Sequence, residues 1–388
     1  MEFGWSDEQE AIRGEVARIC SRFGDDYWRE KDSKAEFPEE FYRAMAEGGW
    51  LGVAMPERFG GSGLGITEAA LILQEVAASG ACMSGASAIH MNIFGVNPLV
   101  VHGSERQQED FLPDIIKGRT KVAFAVTEPD AGLDTTRIKT LAVREGEHYR
   151  VNGRKIWIST AQVAHKILLL ARTRPLGEGG RPADGLSLFF TDLDRTAIDV
   201  REIDKTGRAA VDSNELFIDD LMVPVEHRIG EEGRGFYYLL DGLNPERVLT
   251  AAEAVGIGRA ALGRAARYAK ERVVFGRPIG QNQAVQHPLA DSWAQLEAAH
   301  LLTFKAAWLY DRGRPCGAEA NAAKYLASEA GFQAADRAMQ AHGGMGYSKE
   351  FHVERYWREA KLLKLAPISP EMILNYIAER VLGLPKSY

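Results

Sequence analysis

Side chains that could act as nucleophiles or metal ligands are present, but their spacing does not form the patterns that such catalysis requires. Three serines, Ser84, Ser159 and Ser213, lack the G-x-S-x-G context of a hydrolase nucleophile. The nine histidines, His90 among them, show no ligand spacing, and the chain has no C-x-x-C pair. The sequence therefore predicts neither a hydrolase triad nor a metal site, and His90 is interpreted as a structural residue.

Two groups of glycines resemble a nucleotide-binding turn, but neither follows the strand that such a turn requires. Residues 256–258 read Gly-Ile-Gly but lie inside a helical pattern with no strand before them, so a dinucleotide-binding fingerprint is disfavoured. Close packing between helices is the better interpretation. The glycines between residues 60 and 65 also follow no strand and are interpreted as a surface loop. Thr67 then caps a helix predicted through Val76.

One carboxylate has both a structural and a catalytic interpretation. Glu246 follows Pro245 at the start of a helical pattern of apolar residues, where the helix dipole stabilises a negative charge. The same carboxylate could serve as a general base if it lay in a dry cleft. On these residues alone the structural interpretation is preferred.

The elements that must position these side chains fall into three blocks, predicted as domains of residues 1–118, 119–232 and 233–388. Apolar residues recur at helical spacing in the first and third blocks. The middle block holds short β-rich runs with no long helix between them, which favours a mostly antiparallel sheet. The predicted fold class is mainly α with a central β-domain, in the order helices, a β-barrel-like middle domain, helices.

Local signals add detail to this order. Ser6 and Gln9 form a capping box before the first helix. Asn152-Gly153 lies between two apolar runs and predicts a hairpin turn. Residues 175–182, rich in glycine, predict an exposed loop.

Composition excludes several classes of function. The chain has 388 residues, a formal net charge of −7 and 26% charged residues, so nucleic acid and anionic membranes are not expected partners. Three separated cysteines predict a reducing compartment rather than a disulfide framework. The acidic N-terminus lacks the pattern of a signal peptide, and no apolar run reaches the ~20 residues of a membrane span. These features favour the bacterial cytoplasm and no membrane insertion.

Four segments, in order, resemble signatures of the acyl-CoA dehydrogenase family. They are residues 125–132 (AVTEPDAG), 152–159 (NGRKIWIS), 272–276 with 281–283 (RVVFG and QNQ), and 340–346 (QAHGGMG). The resemblance covers the whole chain. It implies a C-terminal four-helix bundle, FAD as cofactor, an acyl-CoA substrate, a homotetramer, and electrons passed to an electron-transferring flavoprotein.

The resemblance also assigns residues to FAD. It implies that the strand from Phe124 through Gly132 contacts the flavin, that Trp157 shields the ring, and that Ser159 donates near N5. The FAD contacts implied in full are Phe124, Ala125, Val126, Thr127, Gly132, Trp157, Ile158, Ser159, Arg272, Phe275, Gln283, Gln340, Gly343, Gly344 and Ser369. Arg272 supplies a permanent charge for phosphate, and glycines at 343 and 344 let the backbone approach it. The same turn is also typical of a helix C-cap.

The resemblance changes the interpretation of Glu246. Many family members carry the catalytic glutamate near the C-terminus, where this chain has Pro367. A minority, including isovaleryl-CoA and long-chain enzymes, carry it just before an arginine on an earlier helix, and Glu246-Arg247 matches that arrangement. Glu246 is therefore predicted as the base. Glu371 is the nearest carboxylate after Pro367, but its context is typical of the first turn of a helix.

Several positions depart from the family pattern at the substrate. Leu133 replaces a serine that contacts substrate, and Asn244 replaces an aspartate beside Arg247, which is predicted to lie near the CoA moiety. Pro367 lacks the backbone N–H that family members use to hold the thioester oxygen, so Ile368 N–H is the expected substitute.

Two alternatives to a dehydrogenase remain open. One is a related flavin oxidase or N-hydroxylase, which the presence of Glu246 disfavours and which oxygen reactivity would distinguish. The other is a non-catalytic acyl-CoA or flavin-binding homologue. The sequence does not specify the acyl chain.

Overall fold

A computed structural model describes residues 4–178 and 180–387. Residues 1–3 and 388, at the ends of the predicted first and third domains, lie outside the described residues, as does Gly179 of the predicted loop 175–182. The domain boundaries themselves remain predictions. The order of helices, central sheet and helices agrees with the predicted fold class.

The N-terminal part is helical. Its helices are α1 (Asp7–Cys20), α2 (Asp25–Lys34), α3 (Glu39–Glu47), α4 (Ile66–Val76), α5 (Cys82–His90), α6 (Asn97–His102) and α7 (Glu105–Ile116). The predicted capping box is confirmed: Ser6 Oγ accepts from Gln9 N, and the Gln9 side chain accepts from Ser6 N. Ile12, Val16 and Ile19 then face the core.

The start of α4 corrects the prediction that Thr67 is its N-cap. The helix begins at Ile66 after Gly65, and the carboxylate of Asp311 accepts hydrogen bonds from Ile66 N and Thr67 N at 2.8 and 2.9 Å. The orphan N–H groups of the first turn are thus satisfied by a residue far along the chain. No local signal could have indicated this cap.

The middle part is one sheet. Its strands are β1 (Val122–Ala125), β2 (Leu141–Glu145), β3 (His148–Ser159), β4 (Lys166–Arg172), β5 (Leu186–Asp192), β6 (Ile198–Glu202), β7 (Ser213–Pro224) and β8 (Arg228–Ile229). The strand order is β6-β7-β3-β2-β4-β5-β8, with β1 paired to β4. The pairs of β1 and β2 with β4 are parallel and the other pairs are antiparallel, as expected for a mostly antiparallel sheet.

The predicted hairpin at Asn152-Gly153 is wrong. These residues lie inside β3, and the turn falls earlier, between β2 and β3. Gly153 marks a register shift against β7, and a Cβ there would meet Thr140 Oγ1 at 2.4 Å. The Asn152 side chain binds Asp220. The pair therefore marks a bulge and a close backbone approach, which use the same residues as a turn.

The C-terminal part returns to helix. A short hairpin of β9 (Val273–Val274) and β10 (Arg277–Pro278) interrupts the helices α8 (Gly235–Asp241), α9 (Leu243–Glu271), α10 (Gln283–Asp311), α11 (Gly317–His342), α12 (Val353–Leu365) and α13 (Pro370–Tyr376). Helices α9, α10 and α11 pack together, with α4 and α5 against α9. The glycines of α9 allow this: a Cβ at Gly256 or Gly258 would meet a neighbouring helix at 2.5 Å. Helix packing at these glycines is confirmed.

The helical stretch Ile66–His102 is long and apolar enough to cross a membrane by composition. However, 83% of its most apolar window is buried inside the protein. It forms the centre of the helical core, with Leu71, Leu73 and Ile89 fully buried. Packing against protein therefore accounts for its apolar character.

Candidate active site

Glu246 is one end of a buried chain of three ionisable side chains. It lies in the first turn of α9, and its Oε2 is 2.8 Å from His90 Nε2 on α5. The other ring nitrogen, Nδ1, is 2.8 Å from Oε1 of Glu253, two turns further along α9. The side chain of Glu246 is 24% exposed, whereas that of Glu253 is fully buried. Glu246 is thus the member of the chain that a ligand can reach.

The protonation state of His90 determines the charge of the hydrogen-bonded group Glu246–His90–Glu253. Burial opposes its charge, but the carboxylates of Glu246 and Glu253 outweigh burial and hold the pKa of His90 well above 6.5. A protonated imidazole donates from both nitrogens, which matches two carboxylate acceptors. The interpretation of His90 as a structural residue is therefore incomplete, because it contacts the predicted base.

Arg208 connects this chain to the β-domain. Its guanidinium donates to Ser87 Oγ at 3.3 Å and to Ser159 Oγ at 3.0 Å. Ser87 lies one helical turn before His90 on α5, so the two share a face. Ser159 and Glu246, distant in sequence, thus lie on either side of one turn of α5. Arg208 Nε is buried and has no hydrogen-bond partner among the described residues, so it can serve an acceptor from a ligand.

Trp157 is displayed on the surface by a bulge. The register of β3 against β7 shifts between Lys155 and Ile158, and Trp157 has a φ of +62°. A bulky residue at positive φ is uncommon, and bulges re-aim side chains at functional sites. The ring is 57% exposed although the neighbouring Ile158 is buried. A large flat surface held in this way fits an aromatic ring system stacked on it.

A buried ion pair fixes this bulge to the first strand of the sheet. Lys155 Nζ donates to Glu128 Oε1 at 2.9 Å and to Val126 O at 3.0 Å, and Ile156 N donates to Thr127 O. Burial lowers the pKa of Lys155 to about 8, against the opposing charge of Glu128. The two sequence segments predicted to contact flavin are therefore joined directly.

The remaining predicted flavin contacts of the middle domain lie beside this pair. Phe124 and Ala125 belong to β1, and Val126 and Thr127 continue it, half-buried. Gly132 is exposed in the loop that follows. The strand and the bulge thus form one surface that includes Trp157 and Ser159.

A second cluster forms at the far end of the helical domain. Tyr268 of α9 stacks on His342 of α11 with ring centroids 4.3 Å apart, one turn before Arg272 and next to Gly343. The predicted residues near it are Arg272, Phe275, Gln283, Gln340, Gly343 and Gly344, all exposed. A Cβ at Gly343 or Gly344 would meet nothing within 4 Å, so the turn is open to a ligand. Gly343 is also the C-cap of α11, so the helix-cap interpretation of this turn is confirmed.

No hydrogen bond or ring contact joins the Arg272 cluster to Trp157 among the described residues. Residues predicted to bind one cofactor therefore form two separate surfaces of the same chain.

Two of the predicted substrate residues, Asn244 and Arg247, lie in the first turns of α9 with Glu246. Asn244 accepts from Arg247 Nη1 at 3.1 Å, and burial lowers the pKa of Arg247. Arg247 Nε is buried and has no partner among the described residues. Leu133, predicted to replace a substrate-contacting serine, is exposed in the loop after β1.

The segment around Pro367 lies between α12 and α13. Ile368 O accepts from Lys324 Nζ at 2.7 Å, and burial together with Arg247 lowers the pKa of Lys324 to about 8. Ser369, predicted to contact FAD, caps α13 by accepting from Met372 N at 3.4 Å. Glu371 is exposed in the first turn of that helix.

Three site residues were missed from the sequence: His90, Glu253 and Arg208. Each is a single residue outside the four family segments. The contacts of His90 with Glu246 and Glu253, and of Arg208 with Ser87 and Ser159, cross 49 to 163 positions. The spacing of Glu246 and Glu253, two helical turns apart, is the one signal that could have paired them on a face of α9.

With this geometry established, comparison with known proteins identifies the class. Family profiles match residues 6–119 to the acyl-CoA dehydrogenase N-terminal domain, 123–221 to the middle domain and 233–382 to the C-terminal domain. The chain belongs to the acyl-CoA dehydrogenase family. It is an oxidoreductase of the class that carries out FAD-dependent dehydrogenation of acyl-CoA. The predicted family and the predicted cofactor are confirmed.

Relatives and solved structures agree with this class. Acyl-CoA dehydrogenase FadE12 of Mycobacterium tuberculosis is 39% identical, covering 99% of this chain and 98% of that protein. Subunit CarC of the caffeyl-CoA reductase-Etf complex of Acetobacterium woodii is 35% identical, covering 87% and 88%. A glutaryl-CoA dehydrogenase complex with glutaryl-CoA superposes with a TM-score of 0.92 at 32% identity, covering 100% and 98%. The FAD complex of PigA superposes with a TM-score of 0.92 at 28% identity, covering 99% and 100%.

The residues present fit FAD. Trp157 offers a flat wall, the orphan Nε of Arg208 lies beside Ser159, and the turn at Gly343 and Gly344 is open beside the charge of Arg272. These are the wall, donor and phosphate cradle that an extended flavin nucleotide requires.

Proposed function

We propose that this enzyme removes a proton from Cα and a hydride from Cβ of an acyl-CoA thioester, giving the trans-2-enoyl-CoA, with Glu246 as the base. The observation that carries this proposal is the placement of Glu246. It is the accessible end of a buried charged chain, one turn of α5 away from the Arg208–Ser159 contact. Bound FAD supplies the hydride acceptor.

Glu246 is suited to take the Cα proton. Its Oε2 is held by His90, and Oε1 has no hydrogen-bond partner among the described residues, so one oxygen is free to face the substrate. Partial burial excludes much of the water that would otherwise compete for the proton. Pro367 cannot accept a proton, and Glu371 is exposed at the start of α13.

The thioester oxygen requires donors that stabilise its developing negative charge. Pro367 has no N–H, and Ile368 N has no hydrogen-bond partner among the described residues. We assign that N–H to the thioester oxygen. Lys324 fixes the loop by binding Ile368 O.

The test is the rate of anaerobic flavin reduction in Glu246→Gln, across a panel of acyl-CoAs that differ in length and branching. Glutamine keeps the size and can still accept from His90 but cannot accept a proton. Reduction should slow about 10²–10⁴-fold, with FAD content and acyl-CoA binding close to those of the parent.

Glu371→Gln is the matched control. It makes the same chemical change at the nearest carboxylate after Pro367, and it should change the reduction rate less than about twofold. Parent-like reduction in Glu246→Gln together with slow reduction in Glu371→Gln would show that the base had been assigned to the wrong helix.

The physiological electron acceptor is an electron-transferring flavoprotein. Support comes from the family and from the similarity to the CarC subunit of an Etf complex. The substrate-reduced enzyme should reduce such a flavoprotein rapidly and react slowly with oxygen. Rapid oxygen consumption with hydrogen peroxide formation would instead indicate an oxidase.

The working assembly is a homotetramer in which FAD bridges neighbouring subunits. The two separate cofactor surfaces support this, as do Trp293, Leu301 and Trp308, exposed on one face of α10. Arg272→Ala should lower both FAD retention and tetramer content in sedimentation. Tight FAD binding by a monomer would contradict the bridging arrangement.

A further inference from the structure

Proton abstraction needs a single carboxylate, but two further ionisable residues, His90 and Glu253, are hydrogen-bonded in series behind Glu246. Glu253 is fully buried, and its second oxygen, Oε2, has no hydrogen-bond partner among the described residues. A buried carboxylate without a cation is costly. His90 is the cation bonded to Glu253, and the buried guanidinium of Arg208 is a second positive charge that interacts with it without a direct bond. His90 in turn has two carboxylates within 2.8 Å.

We propose that His90 is a positioning residue for the base: its buried ring, bonded to both Glu246 and Glu253, holds Oε2 of Glu246 and turns Oε1 toward the substrate. This inference rests on the proposed role of Glu246. Glu253 is the permanent partner that keeps His90 charged.

The sharing matters because the charge of Glu246 changes during turnover. The Cα–H bond breaks, the proton forms an O–H bond on Glu246, and the electron pair remains in the acyl chain as Cβ loses its hydride. The protons of His90 do not move. When Glu246 becomes neutral, the imidazolium still has Glu253 as its counter-ion, so no unpaired charge is left buried.

Other charged groups that face α5 have partners of their own. Arg355 and Glu359 of α12 pair with each other, and Glu359 accepts from Ser84. Arg208, from the loop between β6 and β7, binds the three serine hydroxyls of Ser87, Ser159 and Ser213, and its charge interacts with Asp212, Glu359 and Glu253. Hence Glu246 and Glu253 are the groups bonded to the ring of His90.

The test uses the holoenzyme of the double variant His90→Gln/Glu253→Gln. The single change His90→Gln would leave Glu253 buried without the cation bonded to it, with only the unbonded charge of Arg208 nearby, and would destabilise the fold. The double variant removes the cation and its permanent partner together, so FAD content and acyl-CoA binding should remain within about threefold of the parent. If the double variant does not retain FAD, Glu253→Gln alone is measured instead. It keeps His90 beside Glu246, so the acidic limb of the pH profile should stay at or below that of the parent, and an upward shift would contradict the role of His90.

The expected result is a change in the pH profile of anaerobic flavin reduction. A neighbouring cation typically lowers the pKa of a carboxylate by about 1–3 units. Without it, the acidic limb of the profile should move upward by about 1–2 pH units, and the rate on that limb should fall about tenfold per unit. Retention of the parent profile by a folded, FAD-replete double variant would overturn the proposal.

His300→Gln is the matched control. His300 is half-buried, its Nδ1 is 2.9 Å from Gln74 Oε1, and burial lowers its pKa to about 4. The substitution thus removes a half-buried ring but no charge, and the pH profile should match that of the parent. An equal shift in His300→Gln would attribute the effect to packing and overturn the proposal.

Stability gives a readout independent of turnover. The folded pKa of His90 is raised, so its contribution to stability is complete below about pH 6.5 and is lost as pH rises through the folded pKa. The Tm difference between parent and double variant should therefore shrink from pH 6 to pH 10. A difference independent of pH would contradict an imidazolium at this position.

Failure of the proposed function would look different. If Glu246→Gln reduces its flavin at the parent rate, Glu246 is not the base and the assignment above is lost. If Glu246→Gln is slow while the double variant keeps the parent pH profile, the base stands and the role of His90 is refuted.

Discussion

The proposed flavin wall at Trp157 and the proposed base Glu246 are both held in place by buried charged groups, but the charges are balanced differently in the two regions. At the wall, one cation, Lys155, meets one anion, Glu128, and Glu128 also accepts from the backbone N–H groups of Lys139 and Thr140. At the base, one cation, His90, serves two anions, and one carboxylate oxygen of Glu253 is unsatisfied among the described residues.

The difference follows from what each region has to do. The wall must hold a strand and a bulge in one geometry, so a matched pair with full hydrogen bonding suits it. The base must change its charge in each turnover, so its cation needs a second partner. Substituting one charged residue should therefore cause a large loss of stability at the wall and a small loss at Glu246.

The largest expected effect is Lys155→Met, which leaves Glu128 buried without its cation. Loss of one partner of a buried pair typically costs about 3–5 kcal/mol. The Tm should fall sharply and FAD should be lost with it, as measured by thermal unfolding and by bound flavin. Lys139→Met, which breaks an exposed pair with Asp130, is the control and should cost less than about 1 kcal/mol.

The next effect is acid sensitivity of the same pair. Burial raises the pKa of Glu128, but Lys155 and the backbone donors outweigh it and lower the pKa below 4.5. Its stabilising contribution is therefore present above pH 4.5 and is lost as pH falls through the folded pKa. Unfolding followed from pH 6 to pH 3 should show this loss in the parent. A Lys155→Met/Glu128→Gln variant with the same acid slope would disprove the assignment.

A smaller effect is expected for Trp157→Ala. Ring stacking contributes about 0.5–1.5 kcal/mol beyond area burial, so FAD should bind about two- to tenfold more weakly. The stability of the apoprotein should be unchanged, because the ring is mostly exposed and its backbone is strained. Trp157→Phe should recover most of the affinity. Unchanged FAD binding in the alanine variant would remove Trp157 from the wall.

The smallest effect is on the stability of Glu246→Gln. Its carboxylate is partly exposed, the glutamine oxygen can still accept from His90, and Glu253 keeps the cation paired. The free energy of unfolding should change by about 1 kcal/mol or less, as measured from the shift in Tm. A loss as large as that of Lys155→Met would mean that both regions balance charge in the same way.

The parts of the fold that local chemistry determines could be predicted from the sequence. The Ser6–Gln9 capping box and the C-cap at Gly343 each depend on residues within one or two turns. Asn152-Gly153 misled because the same dipeptide suits a hairpin turn and a bulge, and the packing of Thr140 decides between them.

The family segments, not periodicity, indicated the site, and they could not include His90. A lone histidine carries no signal until two helices bring carboxylates to both of its nitrogens. The same holds for Arg208, whose partners come from α5, β3 and β7. Contacts of this kind depend on the tertiary structure and not on the spacing of residues.

Helix α4 cannot receive its N-terminal cap until Asp311 has been translated. Ile66 and its acceptor are 245 residues apart, and the whole β-domain is translated between them. At about 5–20 residues per second, the ribosome needs roughly 12 to 50 seconds to cover that interval. During that time the apolar stretch Ile66–His102 has emerged without α9, the helix that covers it. The nascent chain therefore exposes this apolar stretch until α9 has been made, and synonymous codons that slow translation between residues 120 and 311 should lower the yield of soluble enzyme without changing its sequence.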